Sequence, residues 1–255
     1  MGSLLWLPGS SLLVRNYSQI PMNPAAPDLS YLAANWTAVR ERVDAACREA
    51  GRDPAEVSIL PVSKTFGPQV VQAAAALGYR RFGENKVQEL RDKQAVLADE
   101  HLDWVLIGHV QTNKAKDVAR LASEVQSLDR LELAVALDRR LQQEGRTLDV
   151  LVQVKTSPEE SKSGLLPAEL PALLDQLRHC EMLRVRGLMT LAVHADDPEP
   201  VRACFRQLRE CQEQAQQQGH VLPCLSMGMS GDFHWAIAEG ATEVRIGSAL
   251  FGRRA

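Results

Sequence analysis

The chain has 255 residues, 45% hydrophobic and 24% charged, enough for one large domain or two small ones around a substantial core. Its net charge is −3 with Lys and Arg scattered among Asp and Glu, which excludes a single-signed surface that would hold nucleic acid by its phosphates. The absence of a run of about 18 apolar residues excludes a membrane-spanning helix, and five cysteines without a C-x-x-C pair exclude a disulfide framework or structural zinc site and point to a reducing, cytoplasmic compartment.

Residues 1–27, ending in the Pro-rich stretch 21–27, read as a disordered extension, with Met22 as an alternative start. A secretory signal is disfavoured, because the opening lacks a basic start and is broken by Pro8 and Gly9. Ser30 is placed to cap a helix whose apolar positions Leu32, Trp36, Val39, Val43 and Ala46 keep a helical spacing, and Gly51 closes it. Short β-rich runs then follow at 57–63, 79–82, 104–107, 124–127, 150–154, 185–189, 224–229 and 243–246. Helical stretches near 68–77, 86–98, 113–121, 131–144, 168–178, 199–218 and 232–239 separate them, the sixth with Cys204 and Cys211 spaced for one buried face. Repeated strand and helix without a break in composition implies right-handed crossovers and a parallel sheet. Eight such units fit a single α/β domain over 28–255, a (β/α)8 TIM barrel with an extra N-terminal helix. A doubly wound open sheet is the alternative, but neither a G-x-G-x-x-G after the first strand nor a P-loop supports it.

In a barrel the loops after the strands form one face, so the residues just past each strand end are the informative ones. Lys64 closes the first run, Asn85 follows the second and His109 the third. Lys155 and Lys162 follow the fifth, Met189 the sixth, Ser226 to Asp232 the seventh, and Arg245 to Ser248 the eighth. His194 with Asp196 and Asp197 can be drawn as a metal cluster, but a polar loop explains it better, and no metal is expected.

Ser230 and Gly231 immediately precede a helix, and Gly247 and Ser248 do the same after strand eight. Their backbone N–H groups and hydroxyls suit a phosphate at the usual position in such barrels, with glycine letting the backbone come close. Barrel closure makes strand eight a neighbour of strand one, which brings Lys64 beside that anion site. An amine next to a phosphate cradle suggests an aldehyde-bearing phosphate, and pyridoxal 5′-phosphate carries both groups and forms a Schiff base with lysine. Arg245 can only donate hydrogen bonds. Facing the pyridine nitrogen, it would leave that nitrogen unprotonated and weaken the ring as an electron sink.

The motifs Pro-Val-Ser-Lys at 61–64, Phe-Gly-Glu-Asn at 82–85 with Val-Gln-Glu-Leu at 87–90, Ile-Gly-His-Val-Gln-Thr-Asn-Lys at 107–114 and Glu-Glu-Ser-Lys-Ser-Gly-Leu at 159–165 form one set. With Gly-Leu-Met-Thr at 187–190, Leu-Ser-Met-Gly-Met-Ser-Gly-Asp at 225–232 and Val-Arg-Ile-Gly-Ser-Ala-Leu-Phe-Gly at 244–252, they resemble the pyridoxal phosphate homeostasis proteins, the YggS/PROSC family, over roughly residues 30–254. The resemblance implies a fold like the barrel domain of alanine racemase and a cofactor held as a Schiff base without established turnover. Carried over by motif, Lys64 is the Schiff-base lysine, Ser230, Gly231, Gly247 and Ser248 hold the phosphate, and Arg245 faces the ring nitrogen. Asn85, His109, Met189, Ser226 and Met227 are implied to line the ring. Lys155 stands where the family more often has asparagine, which puts an extra cation at the rim.

Two functions are weighed against this background. One is a non-catalytic carrier that takes part in intracellular vitamin B6 homeostasis, limits the free aldehyde and delivers pyridoxal phosphate to apo-enzymes. The other is an amino-acid racemase or decarboxylase of the same barrel. The carrier is favoured, because enzymes of this fold append a β domain with a second acid/base group, whereas this chain stops at Ala255 and its tyrosines at 17, 31 and 79 do not supply one. A barrel with an inactive sugar-phosphate site is a weaker third reading. The expected assembly is a monomer or weak homodimer.

Overall fold

The computed structural model describes residues 29–160 and 162–252, so the expected extension 1–27 lies outside them. Helix α1 (Tyr31–Glu49) precedes eight strands: β1 (Ser58–Pro61), β2 (Arg81–Glu84), β3 (Asp103–Leu106), β4 (Glu124–Leu128), β5 (Leu148–Gln153), β6 (Leu183–Met189), β7 (Cys224–Ser226) and β8 (Glu243–Ile246). Between and after them run α2 (Pro68–Ala76), α3 (Val87–Val96), α4 (Ala115–Leu121), α5 (Leu131–Glu144), α6 (Leu170–Leu177), α7 (Pro198–Gln217), α8 (Phe233–Ala238) and α9 (Ser248–Phe251). Gly51 does close α1: at φ +67 it donates to Arg48 while Arg52 donates to Cys47, a Schellman ending. Ser30 differs from expectation, because it adopts helical angles and its side chain makes no capping hydrogen bond.

All strand pairs are parallel, in the order β1-β8-β7-β6-β5-β4-β3-β2. The ring closes between β1 and β2 through one bridge, Val62 to Gly83, and the Ser63 N–H bond to the Gly83 carbonyl. The reason lies in Pro61. Val62 N–H points to Ile246 of β8 and Ser63 N–H to β2, so by alternation position 61 faces β2, and proline has no N–H to offer there.

The same alternation divides each strand into an outer and an inner face. Outward residues such as Phe82, Val125, Leu188, Leu225, Val244 and Ile246 join the helices in one continuous apolar core, which also takes Cys204 and Cys211 of α7. Leu60, Val62, Val105, Leu151 and Met189 are equally buried but stand apart from that core. They belong to the barrel interior, where a Cβ on Gly83 would meet Leu60, Val62 and Ile107.

Charged groups fill the rest of the interior. Arg81 donates to Glu243 and to Glu124, each at 2.6 Å, and Gln126 donates to both carboxylates at 2.8 and 2.5 Å. β8 pairs in the sheet only with β1 and β7, so bonds from β2 and β4 to Glu243 cross the barrel. Because both amide hydrogens of Gln126 are spent on carboxylates, its oxygen accepts, taking the Ser226 hydroxyl at 2.8 Å.

Candidate functional site

The inner rows of β1, β2, β3, β5 and β8 continue toward a cavity of about 660 Å³ at the C-terminal mouth of the barrel. Leu60 and Val62 lead to Lys64, Gly83 to Asn85, Val105 and Ile107 to His109, Leu151 to Gln153, and Glu243 and Arg245 to Gly247. Lys64, Asn85, His109, Ser230, Gly231, Arg245, Gly247 and Ser248 therefore line one space although they come from five different strands' ends. Lys64 sits beyond the strand proper, in a turn closed by the Phe66 N–H on the Ser63 carbonyl at 3.1 Å.

Arg245 is 3% exposed and fixed by three hydrogen bonds. One terminal nitrogen donates to the Ser226 carbonyl and hydroxyl at 2.7 and 2.8 Å, the other to the Thr190 carbonyl at 2.7 Å. Burial pulls its pKa down from the usual guanidinium value, opposed by the nearby Glu243 and Asp232 carboxylates. The ordered chain Arg245 to Ser226 to Gln126 to the two glutamates passes hydrogen-bond polarity away from the guanidinium, favouring its charged form.

The two turns expected to hold a phosphate are built differently. After β7, Met229 N–H donates to Asp232 at 2.5 Å, and Asp232 and Phe233 N–H groups donate back to the Met229 carbonyl. Gly228 at φ +92 makes this turn possible, since a Cβ there would press on Ala236 at 2.6 Å. Gly231 faces open space, with no atom within 4 Å of a Cβ built on it. Gly247 is constrained by the fold instead: its Cβ would stand 3.2 Å from the Val62 carbonyl. The helices that follow, α8 and α9, have six and four residues, so the dipole contribution expected from them reduces to the N–H groups of a first turn.

Asn85 is set by close contact: a Cβ on Gly108 would come within 2.2 Å of its carbonyl oxygen. His109 lies half exposed at the rim, with Nδ1 3.4 Å from Asp129, which also pairs with Arg130 at 2.6 Å.

Three of the anticipated residues are not brought to the cavity. Ser226 and Met189 are fully buried in the barrel interior beneath it, Ser226 as a support for Arg245. The Met227 side chain alternates to the outer face of β7 and packs in the helix–sheet core. Lys155 is also absent from the lining, its N–H bonded to Leu165. Sequence reading missed Val62, Ile107, Gln153 and Trp235, and for the first three the period-2 count backward from the strand ends was the available signal. Among the described residues no group of three His, Cys, Asp or Glu side chains is placed to hold a metal, and no helix is long and apolar enough to cross a membrane.

Comparison with known proteins agrees with this architecture. Residues 28–255 match the family model described as alanine racemase, N-terminal domain. A pyridoxal phosphate homeostasis protein of Pseudomonas aeruginosa is 44% identical over 226 residues, covering 89% of this chain and 97% of that protein. One of Aquifex aeolicus is 42% identical over 217 residues, covering 85% and 95%. The structure of PipY from Synechococcus elongatus PCC7942, solved with PLP bound, superimposes with a TM-score of 0.77 at 37% identity over 87% of this chain and all of that one. An eight-stranded barrel with a lysine, a buried arginine and two glycine turns at one mouth, together with these likenesses, means that the chain belongs to the pyridoxal phosphate homeostasis protein family.

Proposed function

We propose that this protein binds pyridoxal 5′-phosphate as a Schiff base on Lys64 and serves vitamin B6 homeostasis by holding the cofactor, limiting its free concentration and passing it to apo-enzymes. The observation that carries the reading is the convergence of an amine, two glycine turns and a donor-only guanidinium on one cavity. The residues fit the cofactor on their own chemistry. Ser230 and Gly231, with Gly247 and Ser248, offer N–H and hydroxyl donors to a phosphate, and Lys64 offers the amine for an aldehyde. Arg245 is rigid and donates only, so it suits an unprotonated ring nitrogen. Bound there, the cofactor supplies the aldehyde and an electron-withdrawing ring. Asn85 and His109 contribute polar edges to the same space.

A carrier rather than a catalyst is favoured by what surrounds the amine. An immobile guanidinium at the ring nitrogen does not deliver the proton that strengthens the ring as an electron sink. Tyr31 and Tyr79, the tyrosines among the described residues, lie away from the cavity, one donating to the Phe251 carbonyl at 3.2 Å and the other packed in a tilted ring contact with Trp36, centroids 4.1 Å apart.

The test is spectroscopic. Purified protein with pyridoxal phosphate is expected to show Schiff-base absorbance, and Lys64→Ala to lose it while melting as the parent does. An unchanged spectrum in the variant overturns the assignment of Lys64. Incubating the loaded protein with amino acids is expected to give neither racemisation nor decarboxylation, and mixing it with an apo-enzyme is expected to restore that enzyme. Sustained turnover overturns the carrier reading.

A further inference from the structure

We propose that Glu89 and Lys93, one turn apart on α3, are positioning residues that clamp the two peptide groups on either side of Lys64; the proposal rests on Lys64 being the Schiff-base lysine. The Lys93 ammonium donates to the Ser63 carbonyl at 2.8 Å, and that carbonyl also accepts the Phe66 N–H. On the other side, the Thr65 N–H donates to the Glu89 carboxylate at 2.8 Å. The peptide before Lys64 and the peptide after it are thus both tied to a single rigid helix, which fixes the direction in which the Lys64 side chain leaves the backbone.

Two features set this arrangement apart from ordinary packing. Thr65 has φ +71, a left-handed conformation that a β-branched residue rarely adopts and that turns usually assign to glycine or asparagine. Such strain persists only where surrounding contacts hold it, and the Glu89 bond is made by the strained residue itself. The second feature is burial. Lys93 is 5% exposed and pairs at 2.5 Å with Glu84, which is 0% exposed and also takes the Ser63 hydroxyl at 2.5 Å. The other Glu84 carboxylate oxygen is buried without a hydrogen-bond partner. A buried, incompletely satisfied ion pair is a poor source of stability compared with apolar packing. Its geometry accounts for it better: Glu84 neutralises and orients the ammonium that grips the Ser63 carbonyl.

The alternation of β1 explains why the clamp reaches this place. Val62 and Lys64 face inward, so Ser63 faces outward toward α3, and the helix can hold the backbone without entering the cavity.

Condensation of the Lys64 amine with the aldehyde forms a C=N bond and releases water, and its rate depends on where that amine points. The analogue 4′-deoxypyridoxine 5′-phosphate keeps ring and phosphate but lacks the aldehyde, so it reports the rest of the cavity. In Glu89→Ala, Schiff-base formation with pyridoxal phosphate is expected to slow by on the order of tenfold to a hundredfold, with binding of the analogue unchanged. Adding Thr65→Gly, which accepts the left-handed angle without support, is expected to restore the rate. The double variant Glu84→Leu with Lys93→Met is expected to melt no lower than the parent yet to show the same selective slowing. Equal weakening toward both ligands, or failure of Thr65→Gly to rescue Glu89→Ala, overturns the clamp. A parent protein that binds both ligands but forms no Schiff base overturns the reading of Lys64 and the clamp with it.

Discussion

Replacing Arg81 with methionine removes the cation that serves two carboxylates inside the barrel. Arg81 gives one 2.6 Å hydrogen bond to Glu243 and another to Glu124, whose side chains are 3% and 13% exposed. Breaking a buried pair by deleting one partner costs about 3–5 kcal/mol. The Arg81 side chain is itself 36% exposed, so water relieves part of the loss and the lower end, about 3 kcal/mol, is expected. For a domain of this size that lowers the Tm by roughly 6–12 °C. The loss also carries a pH signature. Burial already raises the Glu124 pKa and Arg81 opposes that rise, so without Arg81 the Glu124 carboxyl is held neutral more strongly. A carboxylate whose folded pKa is raised takes up its proton more readily when folded than when unfolded, so the penalty is absent below the unfolded value of about 4.3 and complete above the folded one. Urea denaturation of parent and variant at pH 7 and pH 5 is therefore expected to show a smaller difference at the lower pH. A difference under about 1 kcal/mol at pH 7, or one that grows on acidification, refutes the reasoning.

Gly108→Ala places a Cβ against the Asn85 backbone at 2.2 Å, where no side chain can swing aside, and is expected to destabilise the fold by about 1–3 kcal/mol in thermal melts and to weaken cofactor binding through the displaced Asn85. Gly231→Ala meets nothing within 4 Å; its melting is expected to stay within about 0.5 kcal/mol of the parent while affinity for pyridoxal phosphate, measured by spectral titration, falls. Burial pushes the Cys224 thiol up to about 12 and raises Cys47, Cys180 and Cys211 as well, so a thiolate-specific reagent at pH 8 is expected to label these four slowly in native protein and fully after denaturation.

The strands, helices and most of the cavity were legible because a (β/α)8 repeat ties function to local position: the residue past a strand end is also the residue at the mouth. Several strand boundaries moved, two of them for plain local reasons. The second strand, expected at 79–82, begins at Arg81 because Tyr79 still belongs to the turn after α2, its N–H bonded to Ala74 beside Gly78 at φ +99. The seventh, expected to reach 229, stops at Ser226 because Gly228 turns the chain at φ +92. The interior charges were not legible. Arg81, Gln126 and Glu243 meet across separations of 162 and 117 residues, and no local pattern says which polar residue on one strand answers which on another.

The displaced boundary of β2 hid the support of the site as well. With the strand ending at Phe82, Glu84 reads as a loop residue beside Asn85; with the strand running through it, the two point to opposite sides of the barrel wall. Asn85 then faces the cavity, while Glu84 faces α3 and meets Lys93, a residue that looks in sequence like any exposed helical lysine. The same division applies at β1, where Lys64 faces the ligand space and Ser63 faces the helix. Binding groups and their supports are consecutive residues with opposite orientations. A slip of one residue in either strand would exchange them, putting a buried carboxylate in the cavity and Lys64 against α3, which is why the closure at Val62, Ser63 and Gly83 has to fix the register at this point.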